Sequence, residues 1–416
     1  MIRKFFSVLA AVIAVGCTAV YEVPDAQDVV MYQVNPRVFA ADHSFTAVKD
    51  RLDSIEALGV NVLWFMPVYE IGQEKSVNSP YCIKDYRALN PEFGTVREFD
   101  DMVKEAHKRG MSVILDWVAN HTSWDSDWIK ENPDWYTRDS LGNIIHPAGT
   151  GWRDVADLDF GNQDMRRAMI ADMKYWIEEH GVDGFRCDAA DYVPFDFWQQ
   201  AVGELRSIPD RKLLLLAEGQ RKDHFDAGFD MNYAWGYLSA LRKVYHRDAP
   251  ATALISADSL EYAGLEPGKV KLRFITNHDE AVRTPAVKEF GNEKGAMAAF
   301  VAATYIHGGM LIYGSQEVAY PEGINFFEYV PVDWEANPSC REEYRRIVEF
   351  YNGHPAIRRG SLETFPDDDV LMFRREYAED SVFVAVNLRN RPVTASSPEG
   401  EIALEPYEYI IKDLKK

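Results

Sequence analysis

Ser112-Val113-Ile114-Leu115-Asp116-Trp117-Val118-Ala119-Asn120-His121 decides the fold. An apolar run of strand length passes directly into Asn and His, so a strand buried on both faces delivers polar groups at its C-terminal end. The pattern recurs in Gly184-Phe185-Arg186-Cys187-Asp188, in Leu213 to Ala217 followed by Glu218, and in Phe274-Ile275-Thr276-Asn277-His278-Asp279. Strands are predicted at Val29–Val34, Val60–Met66, Ser112–Trp117, Gly184–Arg186, Leu213–Ala217, Gly228–Met231, Lys271–Thr276 and Met310–Tyr313. Amphipathic helical stretches lie between them, including Thr46–Leu58, Val96–Arg109, Gln163–His180 and Phe195–Leu205. This alternation predicts an α/β fold, a closed (β/α)8 TIM barrel with its active site at the strand C-termini.

Two segments break the rhythm. His121 to Leu158 is loop-like and rich in Trp, Pro, Asp and Gly, which predicts a small inserted subdomain over 121–158, after the third strand and between barrel segments 25–120 and 159–354. After the helical Arg341–Gly353, the style changes at Pro355–Gly360. Period-two alternation in Val370–Arg374, Ser381–Leu388 and Tyr407–Lys412 then predicts an appended antiparallel β domain over 355–416.

Composition narrows the ligand. The chain has 416 residues with 45 Lys and Arg against 66 Asp and Glu, and its net charge of −21 repels phosphate backbones, so nucleic acid is excluded as a partner. Aromatics at 13% suit neutral sugars, whose C–H faces stack on flat rings. At the N-terminus, Arg3 and Lys4 precede the short apolar run Phe5 to Val15, and Ala14-Val15-Gly16-Cys17 resembles a bacterial lipobox. A lipoprotein signal peptide over 1–17 is therefore expected, with Cys17 acylated, a plain secretory signal being the alternative. The protein is expected to be exported and held in the cell envelope by that anchor alone, as a monomer. No other stretch reaches the roughly 18 apolar residues of a membrane helix. Cys82, Cys187 and Cys340 have no paired spacing and are read as free and buried.

A lone acid after a strand is usually a helix cap or a solvated loop group. Asp188, Glu218 and Asp279 arrive together from three strands, with His121, Arg186 and His278 on the same rim, which predicts acid–base chemistry. The blocks Asp116-x-x-x-Asn120-His121, Gly184-x-Arg186-x-Asp188, the strand-end Glu218 and Asn277-His278-Asp279 resemble, in order, those of the α-amylase family of glycoside hydrolases, family 13 of clan H. Ser79 to Tyr86, Val155 to Asp159 and Gly308 to Glu317 resemble further blocks of that family.

The resemblance implies retaining cleavage of α-1,4-glucosidic bonds in starch or maltooligosaccharides by double displacement. Asp188 would be the nucleophile, kept ionised by Arg186, and Glu218 the general acid and base. Asp279 would bind sugar hydroxyls and favour the distorted transition state. His121 and His278 would donate hydrogen bonds to sugar hydroxyls, and Tyr81 would stack on the ring. The resemblance also implies a structural calcium at Asn120 and Asp159 with a backbone carbonyl near Tyr192, although Tyr192 stands where many relatives have His and the insert is short. A second calcium loop of some relatives is absent from Asn35–Ser44, and no organic cofactor is implied. Ala189 to Pro194 and Val155 to Asp159 leave the linkage open, so an α-1,6-acting, neopullulanase-like or transglycosylating activity is the alternative. A non-catalytic sugar-binding lipoprotein is disfavoured because all three acids are retained.

Overall fold

A computed structural model describes residues 21–414; the readings over 1–17, Cys17 included, lie outside the described residues. Eight parallel strands close a barrel: β1 Val30–Val34, β2 Val62–Phe65, β3 Ser112–Trp117, β4 Gly184–Cys187, β5 Leu214–Ala217, β6 Met231–Tyr233, β7 Val270–Arg273 and β8 Gly309–Tyr313. Each pairs with its sequence neighbours, and β8 closes on β1. Every residue of β1 to β5 is buried, as expected of a sheet covered on both faces. Four indoles are fully buried, Trp64 and Trp117 on β2 and β3 and Trp176 and Trp198 on the helices Gln163–His180 and Phe195–Arg206. At the start of β4, Gly184 has φ +148°, and a Cβ there would sit 1.9 Å from the Leu214 carbonyl oxygen, so only glycine lets β4 and β5 approach.

Several elements differ from expectation. The single helix over Thr46–Leu58 is two, Ser44–Asp50 and Leu52–Glu56, because Arg51 N–H bonds to the Val48 carbonyl three residues back and tightens the turn. The sixth strand starts at Met231 rather than Gly228, since Gly228 takes φ +102° in the turn before it. The seventh ends at Arg273, short of Thr276. An antiparallel pair, Tyr69–Ile71 and Ile83–Leu89, follows β2 and was not anticipated; shifts of register beside Glu70 weaken its alternation.

The insert is tied at its base: His121–Ser123 pairs antiparallel with Val155–Asp157, and the short helix Asp127–Glu131 lies between them. Beyond the long helix Pro338–Gly353 comes the short helix Pro355–Arg359, placed where only a change of style had been read. The C-terminal region has a four-stranded antiparallel sheet of β9 Ser361–Phe365, β10 Val370–Tyr377, β11 Asp380–Asn387 and β14 Tyr409–Asp413, plus a hairpin of β12 Val393–Ser397 and β13 Gly400–Leu404. Alternation sorts its faces. Leu371, Phe373, Val382, Val384 and Val386 join the barrel's core, whereas Val370, Met372, Phe383 and Ala385 pack with Val393, Ala395 and Leu404 in a separate core. Cys82, Cys187 and Cys340 are free and buried. Among the described residues, no helix is long and apolar enough to cross a membrane.

Candidate active site

Barrel register builds the site. β3 and β4 set Asp116 opposite Arg186, and β4 and β5 set Cys187 opposite Ala217. The ladder continues past the strand ends, with Asp188 N–H donating to the Trp117 carbonyl at 2.8 Å and Glu218 N–H to the Cys187 carbonyl at 2.9 Å. Asp188 and Glu218 therefore emerge side by side. On the far side, Asn277 caps the short helix His278–Ala281 by accepting from Glu280 N–H, which fixes His278 and Asp279 on its first turn.

One guanidinium organises the floor. Arg186, fully buried, donates through Nη1 to Asp116 Oδ1 at 2.6 Å and Asp188 Oδ1 at 2.9 Å, through Nε to Tyr233 Oη at 3.1 Å, and its Nη2 lies 2.7 Å from Glu218 Oε1. The second Glu218 oxygen accepts from Ala189 N–H at 2.7 Å. Asp116 was quoted in the sequence block without a role. Here it is saturated, its Oδ2 accepting from Trp64 Nε1 at 3.2 Å and Tyr81 Oη at 3.0 Å.

Three carboxylates around one cation cannot all ionise cheaply in a buried site. Burial pushes Asp116 up to about 7 despite Arg186. Asp188 was expected to be kept ionised by Arg186. Instead burial and the neighbouring charge of Glu218 raise it well above the usual carboxylate range, because its guanidinium is shared with Asp116 and Glu218. Asp116 and Asp188 thus hold their protons more tightly than ordinary carboxylates do.

The two histidines are held neutral by burial, His121 lowered to about 4 and His278 to about 3. Gln33 Nε2 lies 2.7 Å from His278 Nδ1, and Tyr81 Oη lies 2.7 Å from His278 Nε2. These partners assign the tautomer: Gln33 donates to Nδ1, Nε2–H donates to Tyr81, and the Tyr81 hydroxyl donates to Asp116. Both nitrogens of His278 are therefore engaged, and a sugar hydroxyl must displace Tyr81 to take its N–H. The Tyr81 ring stacks on His278 with centroids 5.4 Å apart.

The cleft above has a volume of about 280 Å³ and is lined by Tyr81, His121, Asp188, Glu218, His278 and Asp279, with Trp152 from the insert and Phe326 from the loop after β8. All the residues assigned by sequence to catalysis and substrate binding except Arg186, which lies beneath, thus face one cleft. Gln33, Trp152 and Phe326 were missed. Gln33 sits inside a strand read only as apolar, and the other two lie in irregular loops.

Asn120 and Asp159, the predicted metal ligands, line a different, shallow pocket with Asp157, Arg166, Tyr192 and Asp196. Calcium takes about six to eight oxygens. Here Asp159 Oδ1 is held by Gly161 N–H at 2.8 Å, and Arg166, itself buried, brings a guanidinium that pairs with Asp196 at 2.8 Å. This donor set does not fit the ion.

Known proteins share this fold. The family described as "Alpha amylase, catalytic domain" matches residues 41–141 and 150–256. An α-amylase of Haloarcula japonica is 27% identical over 403 residues, covering 91% of this chain, which spans 58% of the length of that relative. An oligo-1,6-glucosidase of Parageobacillus thermoglucosidasius is 32% identical over 203 residues, 40% of this chain and 35% of its own. The crystal structure of an α-amylase from Lactobacillus plantarum superposes with a TM-score of 0.84 at 24% identity, covering 93% of this chain and 99% of the other.

Proposed function

The chain belongs to the α-amylase family, and on that premise we propose that it is a retaining α-glucan hydrolase that cleaves α-1,4-glucosidic bonds of starch or maltooligosaccharides. The observation that carries this reading is the single Arg186 guanidinium gripping Asp188 and Glu218 at the floor of one cleft. Asp188 attacks the anomeric carbon while the bond to the departing sugar's oxygen breaks and Glu218 delivers its proton to that oxygen. Glu218, now ionised, removes a proton from water, which attacks the same carbon and frees Asp188. The first step needs Asp188 ionised and Glu218 protonated. Asp279, half exposed to the cleft, is free to accept from sugar hydroxyls as the ring flattens.

Replacing Asp188 by Asn tests the assignment, since an amide is nearly isosteric but a far poorer nucleophile. Activity on maltoheptaose is expected to fall at least about 1,000-fold, roughly 4 kcal/mol of transition-state stabilisation. Because the substitution also relieves carboxylate crowding, the melting temperature should not drop. An α-1,6-acting or transglycosylating activity is the second reading, favoured by the similarity to an oligo-1,6-glucosidase, 32% identical over 203 residues. Product profiles on panose and pullulan separate the two. We propose further that the protein is exported as a monomer and anchored in the envelope through acylated Cys17.

A further inference from the structure

The two ends of the cleft differ. Arg37, fully buried in the turn after β1, donates through Nη1 to the Asn78 carbonyl at 2.8 Å and to the Phe326 carbonyl at 3.0 Å. Its Nε and Nη2 are held by the Glu92 carboxylate at 2.9 and 2.8 Å. Asn78 Nδ2 donates in turn to the Phe327 carbonyl. The loop after β2 and the loop after β8 are thus clasped to each other over β1, and Val77, Ser79, Phe326 and Phe327 form one continuous wall of the cleft. The wall stands directly against the aromatic floor, with the Phe326 ring edge-on to Tyr81 at 6.1 Å and to His278 at 5.3 Å.

Barrel order gives this wall a direction. β1 neighbours β2 and β8, so in a ring of eight it lies opposite β5, which carries Glu218. Glu218 protonates the departing sugar, so that sugar and its chain leave on the β5 side. The glycosyl unit held by Asp188 therefore points its non-reducing end at the clasped wall. At the edge of the cleft stands Trp152, and beyond it Tyr192, exposed by 36% and 56% with ring centroids 5.3 Å apart and planes tilted by 53°, two aromatic faces of the kind sugars stack on.

We propose that the clasp makes this a chain-end enzyme: it admits the non-reducing end of an α-glucan against the wall of Val77, Ser79, Phe326 and Phe327, and it does not cut within long chains. The inference rests on the hydrolase reading above and deepens it. Arg37 and Asn78 act as positioning residues that hold the wall, without touching the reacting atoms.

The test compares two maltoheptaosides carrying a 4-nitrophenyl group at the reducing end, one with a free non-reducing end and one with that end blocked by an ethylidene group. With the wild-type protein, kcat/KM for the free substrate should exceed that for the blocked one at least tenfold, by product chromatography. Equal values would overturn the inference while leaving the hydrolase reading intact; no cleavage of either would overturn the hydrolase reading, and the inference with it. Asn78→Gly removes the side-chain tie without strain, because Asn78 has φ +63°, a conformation glycine adopts freely. In that variant, with an unchanged melting temperature, the ratio of free to blocked cleavage should fall at least threefold. An unchanged ratio would show that the clasp does not set it.

Discussion

Arg186 serves three carboxylates at once, and the chemistry of the site follows from that sharing. Glu218 meets Arg186 Nη2 through one carboxyl oxygen and accepts from Ala189 N–H through the other, contacts that orient it toward the cleft. Glu218→Gln should cost at least 100-fold on maltoheptaose, whose leaving group needs protonation, and far less in glycosylation by α-maltosyl fluoride, whose leaving group does not. Equal losses would remove Glu218 from the acid role. His278 makes a second prediction. Its folded value is lowered to about 3 by burial, whereas an unfolded histidine titrates near 6.5, so the unfolded chain binds the extra proton between those values. Stability contributed by this group is present above about pH 6.5 and is lost as pH falls toward 3, by about 2 kcal/mol at pH 5. His278→Asn should therefore flatten the fall in urea-denaturation stability between pH 6.5 and 4. Asp116, whose value is raised, contributes in the opposite direction, but the variant retains it.

The elements differ in how far local sequence could announce them. β3, β4 and β5 were legible because buried parallel strands are unbroken apolar runs, and β10 and β11 because one face packs on the barrel and the other on the small hairpin. That sorting predicts a cost. Phe373→Ala empties a position in the main core and should destabilise by about 3–5 kcal/mol, whereas Tyr377→Ala, on the exposed end of the same strand, should stay within about 0.5 kcal/mol. Denaturant unfolding of the two variants separates them, and similar values would contradict the packing described. β9, β12 and β13 escaped notice since they are short, and the alternation in the hairpin, Val393 with Ala395 and Ile402 with Leu404, spans only two apolar residues a strand. The roles of Arg37, Gln33 and Asp116 were hidden for a different reason. Arg37 meets the Phe326 carbonyl 289 residues away, and Gln33 meets His278 across 245, pairings that only barrel closure creates.

At the scale of the molecule, an acidic body with an aromatic- and carboxylate-lined cleft is proposed to hang from one lipid attachment. Cys17→Ser should shift the exported protein from the detergent phase to the aqueous phase, because acyl chains are its only proposed anchor. Partition of the wild type into the aqueous phase would defeat that reading without touching the catalytic one. The proposed double displacement stands on Asp188 and Glu218 emerging from adjacent strands onto one guanidinium, which sets the proposed nucleophile beside the proposed acid. The most direct measurement is proton NMR of the first product formed from maltoheptaose, followed before mutarotation erases the signal. Two displacements predict that the new reducing end appears as the α-anomer and converts to the β-anomer only later; a β-anomer appearing first would contradict the account.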